Sequence, residues 1–158
     1  MLMKQATKED FDHAFYFIEK LWDYNTYDKD KTKEVYDEIL SDSNSFAFFI
    51  LNDDGDYCGF CHGSFFNTFW MSGKTCYLAS IITDEKYRGK GYGRAMIDHV
   101  KEIARKQDCR AIILDSGLPR TAAHSFYERY GFEKSCFYNV LSCWKGANYR
   151  ALSCWNEC

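Results

Sequence analysis

Between Ile81 and Lys106 an apolar strand pattern runs into closely spaced glycines and then into a helical pattern. Few folds accept that junction. The strand ends at Ile82, the polar turn Thr83-Asp84-Glu85-Lys86 follows, and Arg88-Gly89-Lys90-Gly91-Tyr92-Gly93 opens the helix. Glycines there let the backbone turn sharply and leave N–H groups uncovered. The first N–H groups of a helix lack intrahelical acceptors, and the helix dipole adds partial positive charge. Arg88, Lys90 and Arg94 reinforce that field, so a phosphate-bearing ligand is the expected guest.

Four readings of the loop compete. The dinucleotide fingerprint needs G-x-G-x-x-G after the first strand and an acid about 20 residues on, whereas this chain has G-x-G-x-G deep in its length. The P-loop needs Gly-Lys followed by Ser or Thr, and neither tripeptide occurs. A plain glycine-rich strand–helix connection is the bland alternative. The pattern [RQ]-x-x-G-x-[GA] is met by Arg88, Gly91 and Gly93.

The flanking pattern predicts one α+β domain over residues 1–158, with a tail of uncertain structure from 143. Met1–Gln5 reads as an edge strand. Thr7 and Asp10 look like a capping pair before a helix whose apolar face is Phe11, Ala14, Phe15, Ile18, Leu21 and Trp22. The interval Asp23–Lys33 is polar and aromatic, and a shorter helix carrying Val35, Tyr36, Ile39 and Leu40 follows. Ser45–Leu51, Tyr57–Phe66 and Thr75–Ile82 read as an antiparallel meander, with Gly59 and Gly63 marking bulges or close backbone approach. Ala111–Leu114 is a short apolar run suited to a central strand, Pro119 begins a helix that Gly131 stops, and Phe132–Leu141 reads as one or two final strands.

Charge and cysteines narrow the function. Net charge is −3, which argues against a nucleic-acid partner. No apolar run reaches the roughly 20 residues of a membrane span, and the start lacks a secretory h-region, so a cytoplasmic protein is expected. The chain has 8 cysteines. Cys58-x-x-Cys61 has ligand spacing, but no second close pair completes a tetrahedral set. The thiols read as structural and no metal is expected.

Ala123-His124-Ser125-Phe126-Tyr127-Glu128-Arg129-Tyr130-Gly131-Phe132 follows the glycine loop and the apolar strand in order. Together these segments resemble the GNAT N-acetyltransferases, well over Thr75–Phe132 and through element order before it. The resemblance implies a mixed sheet whose strands four and five run parallel and splay apart, and acetyl-CoA as cosubstrate. It lays the pantetheine arm along Ile81, Ile82 and Thr83, and the pyrophosphate on Arg88, Gly89, Lys90, Gly91, Tyr92, Gly93 and Arg94. The main-chain N–H near Ile82 would polarise the thioester carbonyl. Tyr127 matches the tyrosine that protonates the leaving thiolate, although a helix-face tyrosine also serves as core.

The general base stays open. Ala79 and Ser80 stand where many relatives carry a carboxylate, and neither can serve. Asp115 closes the fifth strand where some relatives place a catalytic acid, yet it also reads as a turn-capping aspartate. His124 has a suitable ordinary pKa, and a water chain is a further route. Arg120 occupies a position where relatives often have a cofactor-contacting asparagine. It can reach cofactor, substrate or Asp115.

The first interhelical connection is aromatic and acidic, with Trp22, Asp23, Tyr24, Tyr27, Asp28 and Asp30, then Glu34, Asp37 and Glu38. Such a surface suits a small cationic amine, polyamine- or aminosugar-like. With Lys29, Lys31 and Lys33 interleaved, it equally reads as a solvated charged face. A protein or peptide acceptor, and a non-catalytic acyl-CoA sensor, are the alternatives. A homodimer through the last strands is compatible with the aromatic C-terminus.

Overall fold

Alternating apolar residues in the first half of the chain build an antiparallel ladder of four strands. They are β1 (Leu2–Gln5), β2 (Ser45–Leu51), β3 (Tyr57–Thr68) and β4 (Gly73–Thr83), lying side by side in that order. The strand β5 (Cys109–Leu114) then joins β4 in parallel. The computed structural model describes residues 1–134. The helices α1 (Phe11–Leu21), α2 (Lys29–Ser41), α3 (Tyr92–Lys106) and α4 (Thr121–Tyr130) complete the mixed α+β architecture expected from sequence.

The two faces of the sheet bury separate clusters. Met96, Val100 and Ala104 of α3 pack on Phe48, Cys58, Cys61, Cys76 and Leu78. Ala14 and Phe17 of α1, with Tyr36 of α2, pack on Phe49, Phe60 and Ile82. Cys58, Cys61 and Cys76 are fully enclosed in the α3-side cluster, where they behave as small apolar side chains, and burial pushes the Cys61 thiol well up. Among the described residues, no group of three or more His, Cys, Asp or Glu is placed to hold a metal ion. Among them, no helix is long and apolar enough to cross a membrane.

Two boundaries differ from expectation. The helix α2 begins at Lys29, so the polar interval is shorter than its composition suggests. The Asp28 carboxylate accepts from the N–H groups of Asp30 and Lys31, each at 3.1 Å, and this cap starts the helix before its first apolar residue. The helix α4 begins at Thr121, because Pro119 instead shapes the turn whose carbonyl accepts from Thr121 N–H at 3.0 Å. Gly131, with φ of +114°, stops α4 as expected. The expected strands in Phe132–Leu141 lie mostly, and the tail from 143 wholly, outside the described residues.

One irregularity positions the site. In the β3–β4 ladder His62 faces Ser80 and Gly63 faces Leu78, leaving Ala79 as an extra residue on β4. Gly63 is required beside it, since a Cβ there would stand 2.6 Å from the Tyr77 carbonyl oxygen. The parallel pairing of β4 with β5 reaches only Leu78 and Leu114, so residues 79–83 have no β5 partner.

A polar hub joins β1, β3 and the entry to α1. The buried Asp10 carboxylate accepts from Thr7 N–H at 2.9 Å, Thr7 Oγ1 at 2.8 Å and Tyr57 OH at 2.6 Å, and it pairs with Lys4 Nζ. Burial alone would raise its pKa, but the bonds from Lys4, Tyr57 and Thr7 outweigh that and hold it well below the usual carboxylate range. A depressed folded-state pKa contributes stability that is complete above the unfolded value and is lost as pH falls toward the folded one. Asp10→Ala is therefore expected to cost about 3 kcal/mol at neutral pH. In urea unfolding, the gap from wild type should narrow as pH drops below about 4.

Candidate active site

The cleft grows from the point where β4 and β5 part. Its walls are Leu78, Ala79 and Ile81 of β4, Leu114, Asp115 and Ser116 at the end of β5, Arg120 and Tyr127 from the α4 region, and Leu21 and Trp22 from the end of α1. The fold thus brings Ile81, Asp115, Arg120 and Tyr127 to one cavity. Ile82 differs from Ile81 because its side chain enters the core on the α1 side. Only its main chain lies along the open edge.

The glycine loop sits at the far end of that edge. Gly89 and Gly91 have φ of +75° and +89°, and nothing lies within 4 Å of a Cβ built on either. Backbone conformation, not crowding, explains these two glycines. Gly91 is the N-cap of α3, so the next N–H groups point outward without intrahelical acceptors. Tyr92 is buried against Tyr87, ring centroids 5.6 Å apart, so its side chain is core and only its N–H belongs to the loop. A Cβ on Gly93 would meet Phe126 Cζ at 3.4 Å and Thr83 Oγ1 at 3.6 Å, which seats the start of α3 against α4 and the end of β4.

Cations surround this helix start. Arg88 Nε donates to the Thr83 carbonyl at 3.3 Å, while Lys86 and Lys90 lie 4.8 and 5.3 Å from the Tyr87 ring centroid. Arg94 lies 3.9 Å from Asp98. Asp84 fixes the loop from below, its N–H donating to the Cys58 carbonyl at 2.9 Å and its carboxylate accepting from Tyr16 OH of α1 at 2.8 Å. An extended amide-bearing chain fits the unpaired edge of residues 79–83, and a pyrophosphate fits the αL turn with its N–H groups and cations.

Tyr127 faces the cleft between Phe126 and Phe132. Burial pushes its hydroxyl pKa up, and the nearby charge of Arg120 partly opposes this. Its proton therefore stays in place at neutral pH. The Arg120 guanidinium donates to the Leu21 carbonyl at the end of α1, which clamps the start of α4 to α1 across the cleft. Asp115 accepts from Tyr77 OH at 2.7 Å. His124 Nε2 lies 3.3 Å from the Ser116 carbonyl oxygen, bracing the β5–α4 turn. Sequence reading missed Tyr77 and Leu21. Strand alternation places Tyr77 on a definite face, but only the parallel register reveals that Asp115 stands above it.

Several acids in and around the first interhelical connection are already engaged. Asp28 caps α2, Asp12 pairs with Lys29 at 2.7 Å, and Asp37 pairs with Lys33 at 2.7 Å. Among the residues lining the cleft, Asp115 is the carboxylate, and Asp23 is exposed next to Trp22 in the chain.

A parallel strand pair that parts beside a bulge, with a cationic αL turn at the head of the following helix, has the shape and charge that suit a phosphate-bearing ligand along a strand edge. Residues 5–132 match the family model described as the acetyltransferase (GNAT) family, and the chain belongs to that family. An uncharacterized N-acetyltransferase of Methanocaldococcus jannaschii is 28% identical over 141 residues, covering 84% of this chain and 60% of the relative. The chain therefore spans less than two thirds of that relative's length. A glucosamine 6-phosphate N-acetyltransferase of Trypanosoma brucei brucei is 39% identical over 59 residues, covering 35% of this chain and 36% of the relative. Among solved structures, an aminoglycoside 6'-N-acetyltransferase in complex with CoA superposes with a TM-score of 0.77 at 19% identity, covering 89% of this chain and 93% of that one. That likeness concerns the fold.

The two kinds of loop glycine should separate in experiment. Gly91→Ala is expected to lose about 1–2 kcal/mol of stability through its left-handed conformation. It should also weaken CoA binding, read by calorimetry. Gly93→Ala, at an ordinary φ and van der Waals distance from Phe126, should perturb stability less.

Proposed function

We propose that the protein transfers an acetyl group from acetyl-CoA to the primary amine of a small cationic acceptor, polyamine- or aminosugar-like. The observation that carries this reading is the open edge of β4, residues 79–83, running from the Tyr127 cleft to the αL turn at Gly91. In this reading the main chain of Ile81, Ile82 and Thr83 pairs with the pantetheine arm. The N–H groups from Arg88 to Arg94 hold the pyrophosphate, helped by the side chains of Arg88, Lys90 and Arg94. Acetyl-CoA supplies a thioester carbonyl at the cleft, where the N–H near Ile82 stabilises the developing oxyanion.

Attack by the amine forms the C–N bond and breaks the C–S bond. Tyr127 donates its proton to the departing sulfur, a role suited to a hydroxyl whose burial keeps it protonated. Arg120 holds the Leu21 end of α1 over the cleft, where Trp22 and Asp115 offer an aromatic and acidic wall to a cation. The similarity to a glucosamine 6-phosphate N-acetyltransferase supports an aminosugar-like acceptor. The acceptor is a partner by transient binding, and a homodimer belongs to the same proposal.

Turnover of acetyl-CoA with spermidine and glucosamine, product identified by mass, tests the reading. Tyr127→Phe is expected to lower kcat about 10²-fold, with CoA affinity by calorimetry unchanged. Full activity in Tyr127→Phe would remove the proton-donor role. Failure of the wild type to turn over any amine would remove the transferase reading.

A further inference from the structure

The sheet face toward α1 and α2 changes character along β3. Phe60 lies in the apolar cluster under α1, but the next residues on that face are His62 and Ser64. On β4 the matching residues are Ile82 in the cluster, then Ser80 opposite His62 and Tyr77 opposite Ser64. Asp115 at the end of β5 joins this row through its bond from Tyr77. The apolar cover therefore ends at His62, and a polar strip continues across three strands beside the bulge at Ala79. The bulge also begins the open edge. CoA's pyrophosphate is assigned to the head of α3, so an acyl group reaching the bulge meets this strip.

We propose that His62 is the catalytic base that takes the proton from the attacking amine, directly or through one water, with Ser80 beside it. The assignment rests on the transferase reading. Its side chain is half-buried, and neither His62 nor Ser80 has a side-chain hydrogen bond among the described residues. Directly across the ladder stand Ala47 on β2 and Ser80 on β4, neither of which ionises near neutrality. Tyr77 and Asp115 are the titratable groups further along the face. No charge on these strands, or on α1 packed over them, moves the ring, and burial alone pushes it down to about 4. The imidazole is neutral at physiological pH with a free lone pair.

As the amine lone pair forms the C–N bond, the nitrogen becomes positive and acidic. Its proton passes to His62 and then to solvent, while Tyr127 gives its proton to sulfur as the C–S bond breaks and takes one back from solvent. Atoms and charge balance without a further reactant.

The test compares wild type with His62→Gln and His62→Ala, using spermidine and glucosamine as acceptors. Both variants are expected to lose about 10²-fold in kcat/KM for the amine, with CoA affinity unchanged by calorimetry. Exogenous imidazole should restore part of the His62→Ala loss, a rescue that a structural role would not allow. Of the chain's 4 histidines, His62 should also show the ring-proton resonance that moves when spermidine is added to the protein–CoA complex. Wild-type turnover in His62→Gln overturns the assignment and leaves the transferase reading standing. So does a loss that imidazole does not rescue with a His62 resonance that ignores the amine. Absence of turnover in the wild type overturns both.

Discussion

The parallel hydrogen bonding of β4 to β5 stops at Leu78 and Leu114, and the functional half of the molecule depends on that stop. Backbone N–H and C=O groups are obligatory hydrogen-bonding groups, so an unpaired edge inside a sheet is costly unless another partner supplies the missing bonds. Here the extra residue at Ala79 turns the strand away, while Gly59 and Gly63 on β3 let the remaining ladder close tightly behind it. The sheet stays whole on one side of β4 and open on the other. An amide-bearing ligand can then complete the edge as a strand would.

An open edge is useful only if its surroundings stay put, and the molecule braces it at both ends. On one side, Asp84 ties the strand–helix turn to β3 and to Tyr16 of α1. On the other, Arg120 ties the start of α4 to the end of α1. The helix α1 is itself held at its entry by Asp10, whose bonds to Thr7, Tyr57 and Lys4 join β1 and β3. Buried polar hubs of this kind fix register and orientation more than they add stability.

Much of this was legible in the residues. The glycine spacing at Gly89, Gly91 and Gly93, the apolar run at Ala111–Leu114 and the helix ending at Gly131 are local signals, and local signals survive folding. They placed the glycine turn, the Tyr127 helix and a fifth strand, which lies at the edge of the described sheet, partly buried, rather than at its centre. Other features depend on register. Whether Asp115 caps a turn or meets Tyr77 is decided by a parallel pairing that joins residues 38 apart, and no local pattern carries it. The same holds for Arg120, whose partner Leu21 lies 99 residues away. The early start of α2 was misread for a different reason. Apolar periodicity identifies a buried face, whereas this helix is started by the Asp28 side chain on residues that face solvent.

The division of labour between the two sheet faces follows from the same bulge. An extra residue in one strand lets the regular alternation resume with a phase shift, so the side chains after it stay matched to β3 although the count along β4 has changed. Ser80 therefore stands opposite His62, while Ile81 still faces the α3-side cluster and Ile82 the α1-side cluster. Without the bulge, Ser80 would turn toward the α3 core, and Ala79 would take its place opposite His62. The irregularity that frees the β4 edge thus also sets which polar groups face the α1 side. Open edge and polar strip both meet at this single inserted residue.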